Sequence, residues 1–252
     1  MSDGQPAASD YTIEPLVSRA RRAAAARGVW PVAAELARWG SHAVAGLPRS
    51  VTGAQRRFAF QGDAYPYLYH RHKLTWMTER AVEVPIVQEI VNRNAGRRVL
   101  EIGNVLSHYR PQSHVVVDKY EVAPGVVNRD VLELDDLGPF DLIVAISTLE
   151  HVGWDEQPRD PDKAVAAVAG LRALLADGGM LVVTVPIGYN PTFDQAFRDG
   201  RIELSRSAAL RRQGAGPRWR EVAADDVWGV PYDSLLYSAR AVLFAFIDCP
   251  SS

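Results

Sequence analysis

The chain has 252 residues, 47% of them hydrophobic and 23% charged, with a formal net charge of −2. Such a composition suits a globular chain with a full core and gives no electrostatic reason to expect nucleic acid as a partner. The one cysteine, Cys249, excludes a disulfide framework or a thiolate metal site, and the longest apolar run, "AVLFAFI", is too short to span a membrane.

The N-terminal stretch "MSDGQPAASD" is polar and acidic, with no apolar leader segment, so a cytoplasmic protein is expected. Residues 1–12 have the composition of a disordered tail. Residues 13–77 read as a helical and aromatic N-terminal extension, a lid or the acceptor side of a site, ahead of a domain over residues 78–252. Ser18 would cap a first helix that Gly28 stops, and Pro31 falls in the first turn of a second. The arginines Arg19, Arg21, Arg22 and Arg27 have few large apolar neighbours, which favours a solvated face or the arm of a homodimer over a membrane surface.

The segment "YPYLYHRHKLTW" supplies Tyr65 and Tyr69, whose rings and hydroxyls would suit a sugar; a packed aromatic cap over the sheet is the equal alternative. Next, Val82, Ile86, Val87 and Ile90 share one helical face, which Asn94 and Gly96 close.

From residue 98 the runs "RVLEI", "HVVVD", "FDLIVAI" and "MLVVTVPI" show little polar alternation, as strands buried on both faces do. Between the last two, Asp160 and Pro161 open a helix with a stripe of Val165, Val168, Leu171, Leu174 and Leu175, stopped at Gly178. The expected fold is therefore α/β and Rossmann-like: a mainly parallel sheet with helices on both faces, an antiparallel last strand at "AVLFAFID", and the helical N-terminal extension.

In such a sheet, ligands meet the carboxyl ends of the strands. A dinucleotide site needs G-x-G-x-x-G, yet the positions after Gly103 hold Val105 and His108, so the phosphate cradle is missing. A ligand with a ribose but no phosphate fits better. Asp118 would accept from ribose hydroxyls, Gly103 would let the backbone approach closely, and carboxylates would favour a sulfonium.

The blocks "VLEIGN", "VVVDKY", "NRDVLEL", "FDLIVAISTLEHV" and "LRALLADGGMLVVTVPIG" follow the order found in class I S-adenosylmethionine-dependent methyltransferases, which residues 78–187 resemble. "GNVLSHY" has fewer glycines than their first motif. The resemblance implies S-adenosylmethionine as cofactor. Glu101, Gly103 and Asn104 would flank its methionine part, Asp118 and Lys119 its ribose, Asp130 and Val131 its adenine, and Ser147 its sulfonium.

The whole pattern looks most like bacterial, notably actinobacterial, sugar O-methyltransferases of polysaccharide biosynthesis. That implies methylation of a sugar or glycan hydroxyl, as in a mannoside of methylmannose polysaccharide synthesis. The alternatives are a methyltransferase for a natural product or other small molecule, and a non-catalytic partner subunit. The acceptor would meet the donor at "ISTLEHVGWDE", where His151 is the candidate base and Glu150 would orient it or bind a hydroxyl. Trp154 and Tyr189 are further substrate candidates. Glu150, Asp155 and Glu156 offer oxygens for Mg²⁺, although their spacing matches no established cage.

Overall fold

The computed structural model describes residues 14–52, 56–214 and 216–250; the tail expected over residues 1–12 lies outside them. Two helices come first, α1 (Leu16–Arg27) and α2 (Val29–Thr52), separated by Gly28 at φ +88°. Ser18 sits inside α1, whose N-cap is Pro15, so the first helix begins earlier than the Ser18 cap implies. A hairpin follows, β1 (Arg57–Phe60) and β2 (Asp63–Pro66), turning through Gln61 and Gly62, both with positive φ.

Helix α3 (Arg80–Arg93) leads into the main sheet. Its strands are β3 (Val99–Ile102), β4 (Val115–Val117), β5 (Val126–Val127), β6 (Phe140–Ile146), β7 (Leu175–Pro186), β8 (Arg206–Arg212), β9 (Trp219–Val222) and β10 (Ala241–Asp248). Their spatial order is β5-β4-β3-β6-β7-β10-β8-β9, with the first five mutually parallel. Strand β10 runs antiparallel between β7 and β8, and β9 adds an antiparallel edge.

Alternation with period two divides the strands between two cores. Leu100, Ile102, Ile143, Ala145, Leu181 and Val183 face α4 (Lys163–Ala173) and α5 (Pro191–Arg198). Val99, Leu142, Val144, Ile146 and Val182 face α3 and the N-terminal elements. The α4 helix is shorter than its apolar stripe suggests, because Leu174 ends it and Leu175 already pairs with Phe140 as the first residue of β7. Asp160 does not cap it; its Oδ1 accepts from the Asp162 amide at 3.1 Å, a local turn.

The extension packs on the sheet through Phe60 against Phe244 and Tyr67 against Trp219, and one indole ties α2 into the same core. Trp76 is fully buried and donates from Nε1 to the Ala43 carbonyl at 3.2 Å. A Cβ on Gly46 would lie 2.1 Å from that nitrogen, so only glycine lets α2 approach so closely.

The chain leaves β3 toward β4 on one side and returns to β6 on the other. The carboxyl ends of β3 and β6 therefore bracket the switch-point crevice where ligands of open α/β sheets bind.

Candidate active site

At the end of β3, Glu101 is fully buried and spent on the protein. Its Oε1 accepts from the Val105 and Leu106 amides at 2.9 and 2.8 Å, and its Oε2 lies 2.8 Å from His114 Nε2. These bonds pin the single turn Leu106–His108 that stands where a longer crossover helix would fit. Gly103 has φ +82°, and a Cβ there would fall 2.3 Å from Thr148 Oγ1, so the glycine lets the loop after β6 close against β3. Asn104 donates from its amide to Asp118 Oδ2 at 3.1 Å and from Nδ2 to Glu121 Oε1 at 2.6 Å.

Asp118, after β4, also takes the Tyr120 and Glu121 amides on Oδ1 at 2.8 and 2.7 Å. A carboxylate offers about four lone-pair positions, so one remains on Oδ2. That position is open to a further donor such as a hydroxyl. Asp130 meets Lys119 at 2.9 Å and Lys163 at 2.8 Å, and both lysines also reach Glu156. Burial alone would raise the Asp130 carboxyl, but hydrogen bonds from Lys163 and Lys119 hold it at about 2. Val131 is buried in the core. Ser147, at φ +40°, is buried and donates its hydroxyl to Glu83, so its side chain points into the protein.

Beneath the end of β6, Glu83 accepts from Ser147, from Thr184 Oγ1 at 2.7 Å and from Arg80 at 3.0 Å. Arg80 donates onward to the Ile146 carbonyl at 2.9 Å. This cluster ties α3 to the strand end that carries the catalytic candidates. It was missed in the sequence, although an acid inside the run "VEVPIV" is a signal, because burying a charge is costly unless it is paired.

His151 follows in a short turn, Leu149–His151. Its Nδ1 lies 2.5 Å from Asp155 Oδ2, which also accepts from the Tyr189 hydroxyl at 2.7 Å. An ionised carboxylate only accepts, so Nδ1 carries a proton and Nε2 keeps its lone pair in the neutral ring. Glu150 is buried, with Oε1 3.5 Å from His151 Nε2 and Oε2 without a hydrogen-bond partner among the described residues. Burial pushes its carboxyl well above the usual range, with Glu83 and Glu79 adding to the rise and Arg80 opposing it. Orienting the imidazole thus falls to Asp155, not Glu150. The spacing of Asp155 four residues after His151 was the available signal.

Tyr189 stacks edge-on against His151 at 4.5 Å, and Trp154 carries Arg159 4.0 Å from its ring. Both line a cavity of about 290 Å³ together with Tyr232 and Tyr237. Tyr65 and Tyr69 are not there. Tyr65 packs on Phe58 and lines a separate groove beside Arg93, while Tyr69 is buried against Trp76. The aromatic-cap alternative describes them.

The Mg²⁺ donor set does not converge: Glu150 faces His151, Asp155 serves His151 and Tyr189, and Glu156 holds the two lysines. Among the described residues, no group of three His, Cys, Asp or Glu is placed to hold a metal ion, and no helix is long and apolar enough to cross a membrane.

No family model matches the chain, and no curated protein is similar to it. Among solved structures, it is similar to the N-methyltransferase NodS of Bradyrhizobium japonicum in complex with S-adenosyl-L-homocysteine. Identity is 16% over 68% of this chain and 91% of that one, with a TM-score of 0.38. A SAM-dependent methyltransferase from Archaeoglobus fulgidus matches at 14% identity, 66% and 92% coverage and a TM-score of 0.41. The sugar N-methyltransferase KedS8 of Streptoalloteichus matches at 18%, with 64% and 66% coverage and a TM-score of 0.33. The fold is Rossmann-like. That assignment rests on the strand order and directions of the sheet itself.

Proposed function

We propose that the chain transfers a methyl group from S-adenosylmethionine to a hydroxyl of a sugar-sized acceptor, with His151 as the base. One observation carries this reading: an imidazole oriented by a carboxylate at 2.5 Å, at the carboxyl end of β6 and beside an aromatic-walled cavity. When bound, S-adenosylmethionine supplies a methyl group made electrophilic by its sulfonium. The free position on Asp118 Oδ2 would take a ribose hydroxyl, and the loop closed by Gly103 and Thr148 would shape the methionine side.

The chain's own part is positioning and proton removal. An unactivated hydroxyl is a poor nucleophile, so Nε2 of His151 takes its proton while Asp155 stabilises the imidazolium that forms. Tyr189 and Trp154 hold the acceptor ring. A mannoside or another hexoside is the expected acceptor class, and a natural product with an equivalent hydroxyl uses the same geometry.

The test is mass-spectrometric detection of methylated hexosides by the wild-type chain and by His151→Ala. The reading requires product from the first and none above background from the second. A second reading, a non-catalytic partner subunit, is favoured by the ion-pair network Lys119–Asp130–Lys163–Glu156, which spans the edge where an adenine would lie. It predicts no binding of S-adenosylhomocysteine.

A further inference from the structure

The cavity beside Tyr189 is lined on its outer side by α1, through Arg19 and Arg22, with Glu14 just ahead of the helix. Its inner side is three tyrosine rings in mutual edge-on contact: Tyr189 with Tyr232 at 5.1 Å, Tyr189 with Tyr237 at 5.9 Å, and Tyr232 with Tyr237 at 5.7 Å. Flat apolar faces with hydroxyl tips suit a pyranose, and about 290 Å³ is at the small end of ligand cavities, the size for one ring rather than a chain.

The charged groups around this cavity are not all matched in ion pairs. Arg22 is paired with Glu14. Asp155 is held by His151 and Tyr189, and Asp233 is 3.0 Å from Arg240. Arg19 has no carboxylate partner among the described residues. It makes one long hydrogen bond, from Nη1 to the Ser234 carbonyl at 3.4 Å, and its guanidinium stands 5.6 Å from the centre of the Tyr237 ring. Its Nε is buried with no hydrogen-bond partner among the described residues. A guanidinium has five N–H donors in a fixed fork, so among the described residues most of this one's donors have no hydrogen-bond acceptor, at the wall of a sugar-sized cavity.

We infer that the acceptor is a single pyranose bearing an anionic group, a phosphate or a carboxylate, that Arg19 binds through its free N–H groups. This deepens the proposed function and rests on it for the identity of the reaction, though not for the binding. Arg19 anchors the charged end, and His151, beyond Tyr189, meets a hydroxyl of the same ring. The arginine-rich helix, which as sequence reads as a solvated face or dimer arm, then has one residue committed to substrate.

Calorimetric titration of the full chain with glucose 1-phosphate, glucuronate and methyl glucoside tests this. At least one anionic probe is expected to bind about tenfold or more tighter than the neutral glycoside, the tighter of the two identifying the anion. Arg19→Ala should bring that probe down to the level of the glycoside, Arg19→Lys should keep part of the difference, and Arg21→Ala, an exposed change on the same helix outside the cavity lining, should change it less than about threefold. The inference is overturned if the glycoside binds as well as the anions, if none of the three binds, or if Arg19→Ala leaves the preference intact. A parallel titration with S-adenosylhomocysteine separates the two claims. Anion binding that depends on Arg19 without S-adenosylhomocysteine binding removes the methyl transfer and keeps the anion site; the reverse result removes the anion site alone.

Discussion

Replacing Asp155 by Asn removes the charge that faces His151 while keeping the shape of the side chain. Its Oδ2 is 2.5 Å from Nδ1 and also accepts from Tyr189 at 2.7 Å. When His151 takes a proton, a positive ring forms against a negative carboxylate. With charge centres about 4 Å apart and an effective dielectric near 20, their attraction is about 4 kcal/mol, and a charge-assisted hydrogen bond alone contributes about 2 kcal/mol. Losing it should raise the barrier by about 2–4 kcal/mol, a fall in turnover of about 30- to 1000-fold. The assay is single-turnover transfer of a labelled methyl group, run beside titration with S-adenosylhomocysteine. Binding should be unchanged because Asp155 does not touch the residues around Asp118. Turnover within about threefold of wild type refutes the dyad, as does an added loss when Asp155→Asn is combined with His151→Ala.

Three further outcomes follow from the packing and charge. Gly46→Ala drives a Cβ into the Trp76 indole at 2.1 Å, so chemical denaturation should find a loss of about 1–3 kcal/mol, with exposure of the buried tryptophan fluorescence. Glu83→Ala strands Arg80 beneath the end of β6 and should cost about 3–5 kcal/mol, measured in the same way, whereas Glu83→Gln should cost less. Burial lifts Asp194 from 3.8 to about 6, against the Gly188 amide that it accepts at 2.7 Å. Its folded form therefore holds a proton that the unfolded form has lost. Stability should fall as pH rises from about 4 to 6, by up to about 3 kcal/mol before solvent screening of this half-buried group reduces it, and Asp194→Asn should flatten that slope.

The strands buried on both faces were legible because β-branched runs such as "FDLIVAI" leave no other way to hide their surface, and the same holds for β10. Strands β8 and β9 were not legible. "RSAALRR" has little intrinsic strand preference and "WREV" is only four residues long; β8 is a strand because it pairs with β10, and β9 because it pairs in turn with β8. The end of the α4 helix went the same way, since Leu174 and Leu175 fit a helical stripe but Leu175 gains more from its ladder with Phe140.

At the candidate site, Glu150, His151, Trp154 and Asp155 lie together because they are close along the chain. Tyr65 and Tyr69 were misplaced because aromatic content does not tell a ring packed in the core from one lining a site; both are buried in the core on the α3 side of the sheet. Tyr232 and Tyr237 come from a segment with no pattern of its own, and Arg19 from a helix legible as such but not as part of a site; only the fold brings them to Tyr189.

The central claim is that this Rossmann-like chain binds S-adenosylmethionine at the edge formed by Gly103 and Asp118. Calorimetric titration of the full chain with S-adenosylhomocysteine, with NAD as control, addresses it most directly. The account predicts saturable binding of S-adenosylhomocysteine at one site per chain and none of NAD. Absence of S-adenosylhomocysteine binding, or saturable binding of NAD in its place, contradicts it.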